Sequence, residues 1–182
     1  MDKKKFRTKD IALLAMLTAI IFAQEQILTF FPQFQFTILL LILYSKCLGF
    51  IKTTIIIIIH VLLDNLVMGS LNYLYTPAML VGWLMIPVLI NTIFKKVNSA
   101  VGLACCSIVF ALLYSWAFIP ISVFATDVKF WAYVIADIPF EIMLAVFSFL
   151  TVLWLYKPLE KVLMSLNDSF KFNDESNDNL DK

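Results

Sequence analysis

Long apolar runs, separated by short polar or Pro/Gly-containing breaks, dominate this 182-residue chain. A helix that crosses a hydrocarbon core of about 30 Å needs about 20 predominantly apolar residues. The pattern predicts six such helices, at residues 11–31, 36–48, 53–68, 77–94, 100–124 and 130–156. We therefore expect an all-α integral membrane protein, built as a bundle of six transmembrane helices.

The boundary between the second and third predicted helices lies inside an almost continuous apolar stretch, residues 36–68. A single helix over this stretch would be roughly 50 Å long at about 1.5 Å per residue, which exceeds the hydrocarbon thickness. Lys46, Gly49 and Lys52 interrupt the run. We expect a turn at these residues and two helices rather than one.

Composition excludes a soluble domain of this size. The chain is 62% hydrophobic and 15% charged, with a mean hydropathy of +0.90, whereas soluble domains are about 45–50% apolar and about 25% charged. We divide the chain into a basic N-terminus at residues 1–10, one transmembrane substrate-binding domain at 11–158, and a polar tail at 159–182 that we expect to be disordered. The basic start leads into the first apolar run, which we interpret as an uncleaved first helix.

The positions of the basic residues predict the orientation. With six helices and a cytoplasmic N-terminus, 13 of the 14 basic residues fall on the cytoplasmic side and only Lys129 falls outside. Five helices would move Lys95 and Lys96 outside, against the positive-inside rule. We therefore expect both termini in the cytoplasm of a multi-pass plasma membrane protein. Arg7 is the only arginine, and the chain has no basic surface block typical of nucleic-acid binding.

Polar side chains inside predicted transmembrane helices identify the candidate ligand site, because such groups are costly in a bilayer. They fall in the outer halves of the first, third and sixth helices, in the outer loops, and among the deeper aromatic residues. We expect them to converge on one cavity open to the outside. The candidate ligand-binding residues are Glu25, Gln33, Gln35, His60, Asp64, Asn72, Trp83, Trp116, Asp137 and Glu141.

Two pairs in this set are spaced four residues apart, His60 with Asp64 and Asp137 with Glu141. Residues at this spacing share one face of a helix. Two ionised acids on one face repel each other in a low-dielectric setting, so the second pair needs donors or a cationic partner. The alternative is that all these groups only satisfy one another and neighbouring helices.

The absence of several sequence motifs disfavours ATPases and hydrolases as the class of this protein. No phosphate-binding loop with the pattern G-x-x-x-x-G-K-[ST] is present, so ATP-driven transport would need separate ATPase subunits. His60 is the only histidine, and there is no G-x-S-x-G motif, which disfavours zinc or serine hydrolases. We expect no enzyme activity, no cofactor and no metal site.

The first predicted helix carries a stripe of small side chains at Ala15, Ala19 and Ala23. Small residues four apart allow helices to approach closely in lipid. The stripe predicts either packing within the bundle or a docking face for another membrane subunit.

The chain resembles the substrate-binding S components of energy-coupling factor (ECF) type ABC transporters. The resemblance covers residues 9–156: the basic N-terminus, the alanine-containing first helix, the short first loop, the six helices, and the segment Asp137-Ile-Pro-Phe-Glu141. It implies high-affinity binding of a vitamin or related micronutrient from outside. It also implies docking through Ala15, Ala19 and Ala23 to a transmembrane coupling subunit driven by two ATPase subunits.

The charges expected in the outer half of the bundle limit the charge of a substrate that can bind there. Glu25, Asp64, Asp127, Asp137 and Glu141 are expected there with Lys129 as the only basic residue. A multiply anionic ligand would meet an unfavourable field, so a neutral or cationic vitamin-like molecule is favoured. Two alternatives remain open: a stand-alone secondary transporter or facilitator, and a non-transport membrane interaction or assembly protein.

Overall fold

The structure, a computed structural model, describes residues 8–31, 33–67 and 74–178, with side chains up to residue 166. Within these ranges every regular element is an α-helix. The helices are α1 (Thr8–Leu28), α2 (Thr37–Cys47), α3 (Phe50–Val67), α4 (Tyr75–Asn91), α5 (Ala100–Thr126) and α6 (Phe130–Asp178). The predicted all-α fold with six helices is confirmed for this part of the chain.

Four of these helices are long and apolar enough to cross a membrane: α1, α3, α5, and α6 over Phe130–Leu166. The chain is therefore a membrane protein. The other two helices are shorter. At about 1.5 Å per residue, the 11 residues of α2 extend roughly 16 Å and the 17 residues of α4 roughly 25 Å.

Helix α2 lies at the centre of the bundle. All residues from Thr37 to Ser45 are buried, and α2 contacts each of the other five helices. A helix that is apolar on all sides either faces lipid or is enclosed by protein, and α2 is enclosed. The second hydropathy peak thus corresponds to a core helix that is too short to span a hydrocarbon layer alone.

Contacts between helix termini define two ends of the bundle. At one end, Lys52 forms an ion pair with Asp10 at 2.6 Å, and Lys46 donates to the carbonyl oxygen of Phe94 at 3.1 Å. We call this the basic end. The other end holds the last residues of α1, α3 and α5 and the first residues of α2, α4 and α6, and we call it the acidic end.

The turn between α2 and α3 lies where the sequence predicts it. Gly49 has a φ of 82°, in the left-handed region that glycine adopts without a steric penalty. The ends of the first five helices lie within three residues of the predicted ends. The interruption by Lys46, Gly49 and Lys52 therefore does separate two helices.

Helix α6 continues past the end predicted from hydropathy, to Asp178. Its continuation packs on the bundle, since Leu163 is buried and Leu159 is partly buried against the core. Tyr156 also donates a hydrogen bond to Glu160 across this boundary at 2.9 Å. Residues 159–178, expected as a disordered tail, are therefore helical in the structure. The helix therefore runs beyond the predicted apolar run, and core packing at Leu159 and Leu163 accounts for its first turns after Tyr156.

Candidate functional site

A buried group of polar side chains joins α1, α2 and α3 near the acidic end. We call Glu25, Gln26, Thr37, His60 and Asp64 the α1–α3 polar cluster. Glu25 Oε2 lies 3.2 Å from His60 Nε2, with side-chain exposures of 12% and 0%. Asp64, one turn after His60 on α3, is 8% exposed. The predicted sharing of one helix face by His60 and Asp64 is consistent with this joint burial.

Each carboxylate of the cluster accepts a hydrogen bond from a neutral side chain of a different helix. Thr37 Oγ1 donates to Glu25 Oε1, and Gln26 Nε2 donates to Asp64 Oδ1 at 3.1 Å. Gln24 fixes the geometry further, because its Nε2 donates to Thr37 Oγ1 at 2.7 Å. The cluster therefore has a defined arrangement that ties three helices together.

His60 makes an unusual contribution to this cluster. Its ring is fully buried, yet among the described residues neither ring nitrogen makes a directed hydrogen bond. The 3.2 Å approach of Nε2 to Glu25 is close enough for an ionic contact, but it does not satisfy the direction of a hydrogen bond. Buried polar groups are almost always paired. His60 thus retains hydrogen-bonding capacity inside the protein.

An aromatic pair lies beside the cluster. Trp83 of α4 is 0% exposed and stacks on Tyr114 of α5, with ring centroids 3.9 Å apart and an interplanar angle of 24°. Helix α4 packs on α3 next to the cluster, since Thr76 Oγ1 of α4 donates to Oδ1 of Asn65, the residue after Asp64, at 2.7 Å. Gly82 makes the close approach of α4 to α5 possible, because an added Cβ there would lie 2.8 Å from Tyr114 Cδ2.

The acids of α6 form a second group. Ser115 Oγ of α5 donates to Asp137 Oδ2 at 2.8 Å, and Glu141 follows Asp137 by one turn of α6. Trp116 of α5 is 55% exposed. Among the described side chains, no hydrogen bond or ion pair joins this group to the α1–α3 polar cluster. The polar residues therefore form two separate hydrogen-bonded groups, and their position in one cavity stays a prediction.

The remaining predicted ligand residues lie in connections. Gln33 and Gln35 are half-buried between α1 and α2, and Gln33 adopts a φ of 63°. Asn72 lies outside the described residues. The ligand-binding roles of all ten residues stay predictions.

The alanine stripe of α1 faces outward. Ala15, Ala19 and Ala23 are all exposed. Ala15 and Ala19 line an apolar groove of about 610 Å³ between α1 and α3, together with Ile55, Ile59 and Leu63 of α3. Ala23 is not among its lining residues. Exposure of the stripe disfavours the alternative that these alanines serve packing within the bundle.

Sequence reasoning missed several contributors. Thr37, Tyr114 and Ser115 were not expected, because single hydroxyl residues and a tyrosine inside apolar runs carry little signal. The described residues contain no group of three or more His, Cys, Asp or Glu side chains arranged to hold a metal ion. No protein family model, curated protein or solved structure matches this chain.

Proposed function

We propose that this protein is the substrate-binding S component of an ECF-type ABC transporter in the plasma membrane. It would bind a vitamin or related micronutrient from outside and take it up with the help of partner ATPases. The observation that carries the proposal is the α1–α3 polar cluster, in which two acids and the only histidine of the chain are buried together. Ionisable groups inside membrane helices are default pointers to function.

The charge distribution supports an outward-facing site. The cluster lies near the acidic end of the bundle, whereas Lys46 and Lys52 are anchored at the basic end. Under the positive-inside rule the basic end is cytoplasmic. The binding site would then open away from the cytoplasm, as uptake requires.

The groove along α1 supports docking to a coupling subunit. It is apolar, and the alanines at its edge leave room for the backbone of another helix. The chain itself has no phosphate-binding loop. The energy for transport would therefore come from two ATPase subunits attached to that coupling subunit.

Replacement of Ala15 or Ala19 by tryptophan tests this function. The bulky ring would fill the groove, so uptake and co-purification with the coupling and ATPase subunits should fail while small-molecule binding by the purified protein persists. Ala132→Trp, at an exposed alanine of α6, is the matched control and should retain the partners. Retention of the partners and of uptake by both α1 variants would contradict the proposal.

A stand-alone cation-coupled transporter is the second candidate, and the contact between Glu25 and His60 favours it, because such pairs can relay protons in membranes. Uptake by liposomes that contain only this chain would support it over the S component. The remaining alternative, an assembly protein, predicts no small-molecule binding by the purified chain.

A further inference from the structure

The α1–α3 polar cluster contains more acidic than basic side chains. Glu25 and Asp64 bring two carboxylates into a mostly buried region, and His60 is the only basic side chain of the cluster. When both carboxylates are ionised, one imidazole can offset at most one of their two negative charges. Burial of an uncompensated charge is costly, so this imbalance needs an explanation.

Four of the described lysines lie away from the cluster and do not supply a counter-charge. Lys46, Lys52 and Lys157 make their contacts at the basic end. Lys129 is exposed in the turn between α5 and α6. Among the described residues, the only basic group in an ion pair with either acid of the cluster is His60.

The carboxylates also have spare acceptor capacity. A carboxylate offers about four lone-pair sites, and Glu25 and Asp64 each accept one hydrogen bond from a neutral side chain. A positively charged nitrogen that donates to both acids would use this capacity and neutralise the residual charge. Hydrogen bonds with an ionised partner are also stronger than neutral ones.

Two buried side chains point independently to a ligand. His60 Nδ1 and Trp83 Nε1 are both fully buried and have no hydrogen-bond partner among the described residues. His60 lies within the cluster, and Trp83 belongs to α4, which is bonded to α3 beside the cluster through Thr76 and Asn65. Aromatic faces attract cations and planar rings. The surroundings of the acids therefore fit an organic cation better than a bare inorganic ion.

We infer that the α1–α3 polar cluster binds the positively charged nitrogen of an organic substrate, with Glu25 and Asp64 as its counter-charges. His60 and the Trp83–Tyr114 pair contact the rest of the molecule. This inference rests on the proposed uptake function and narrows its substrate from neutral or cationic to cationic. It also assigns charge recognition to α1 and α3 rather than to Asp137 and Glu141.

Equilibrium dialysis with fractionated small molecules tests the inference. A small-molecule extract of yeast is separated by cation exchange into a retained cationic fraction and a flow-through of neutral and anionic compounds. Purified full-length protein is dialysed against each fraction, and bound compounds are identified by mass spectrometry. We expect enrichment from the cationic fraction only.

Matched variants locate the binding group. Glu25→Gln and Asp64→Asn keep side-chain shape while removing charge, and each should reduce enrichment of the bound cation tenfold or more. Glu160→Gln removes a carboxylate at the basic end and should leave enrichment unchanged. Cation enrichment retained fully by both cluster variants would overturn the assignment of Glu25 and Asp64.

If a cluster variant does not fold, the dialysis experiment with the wild-type protein still tests cation recognition. Enrichment from the neutral and anionic fraction alone would overturn cation recognition and leave uptake of another substrate standing. Absence of enrichment from both fractions would contradict the proposed binding function, and the inference with it.

Discussion

Replacement of Gly82 by alanine tests the close contact between α4 and α5 that holds the Trp83–Tyr114 pair. The added Cβ would lie 2.8 Å from Tyr114 Cδ2 and 3.3 Å from Tyr114 Cε2. Carbon atoms in favourable contact are about 3.5–4.0 Å apart, so the ring must move by about 0.7 Å or more. Because Tyr114 stacks on buried Trp83, it cannot move without disturbing that pair.

Two opposing effects determine how much the free energy of unfolding changes in Gly82→Ala. Overpacking a well-packed interior typically costs about 1–3 kcal/mol, while the change from glycine to alanine inside a helix gains about 1 kcal/mol in helix propensity. We expect a net loss of about 0–2 kcal/mol in the free energy of unfolding. Equilibrium unfolding in detergent, followed by circular dichroism, measures this change.

A double-mutant cycle isolates the ring contact. Tyr114→Ala removes the atoms that the new methyl group would meet, so Gly82→Ala in this background should be neutral or stabilising. Val81→Ala, at an exposed neighbouring position of α4, controls for substitution on the same helix. An equal loss of stability from Gly82→Ala with and without the Tyr114 ring would refute the reasoning.

Three further experiments test the topology, the acids of α6 and the turn at Gly49. A cysteine at Asp127 should be labelled by a membrane-impermeant thiol reagent in intact cells, and labelling only after permeabilisation would reverse the topology. Asp137→Asn and Glu141→Gln remove the acids of α6. Since charge recognition is assigned to Glu25 and Asp64, we expect unchanged substrate affinity in both variants; a fall of about 1.5–3 kcal/mol, or roughly tenfold to a hundredfold or more in Kd, would place the α6 acids in the binding site. Unchanged affinity by calorimetry, with normal expression, would assign them to helix packing. Gly49→Ala places a Cβ in the left-handed region with no neighbour within 4 Å, so about 1–2 kcal/mol of stability should be lost through backbone strain alone. An unchanged unfolding midpoint would contradict that explanation.

Hydropathy and charge predicted the helices well because both signals are local. The turn at Gly49 and the ends of α1 to α5 follow from where the apolar runs stop. The environment of α2 could not be predicted in the same way, since a helix enclosed by protein and a helix facing lipid have the same apolar composition. The continuation of α6 was missed because Leu159 and Leu163 act through packing on distant parts of the chain.

The candidate site was predictable only in its ionisable residues. Glu25, His60 and Asp64 stand out in apolar helices, and the structure brings them together. Whether two acids lie in the same group depends on how the helices are arranged. Residue spacing within one helix does not reveal that arrangement. For that reason the sequence could not reveal that Asp137 bonds to Ser115 of α5 and not to the α1–α3 polar cluster. Tyr114 was missed because its role depends on Gly82 in another helix.

Native mass spectrometry of the purified full-length protein tests substrate binding most directly. We predict one small molecule bound per wild-type chain, released on collisional activation and identified by its mass. The same adduct should be absent or strongly reduced in Glu25→Gln and Asp64→Asn, and present in Glu160→Gln. A wild-type spectrum containing only the bare chain, both after purification and after dialysis against the small-molecule extract, would contradict the account.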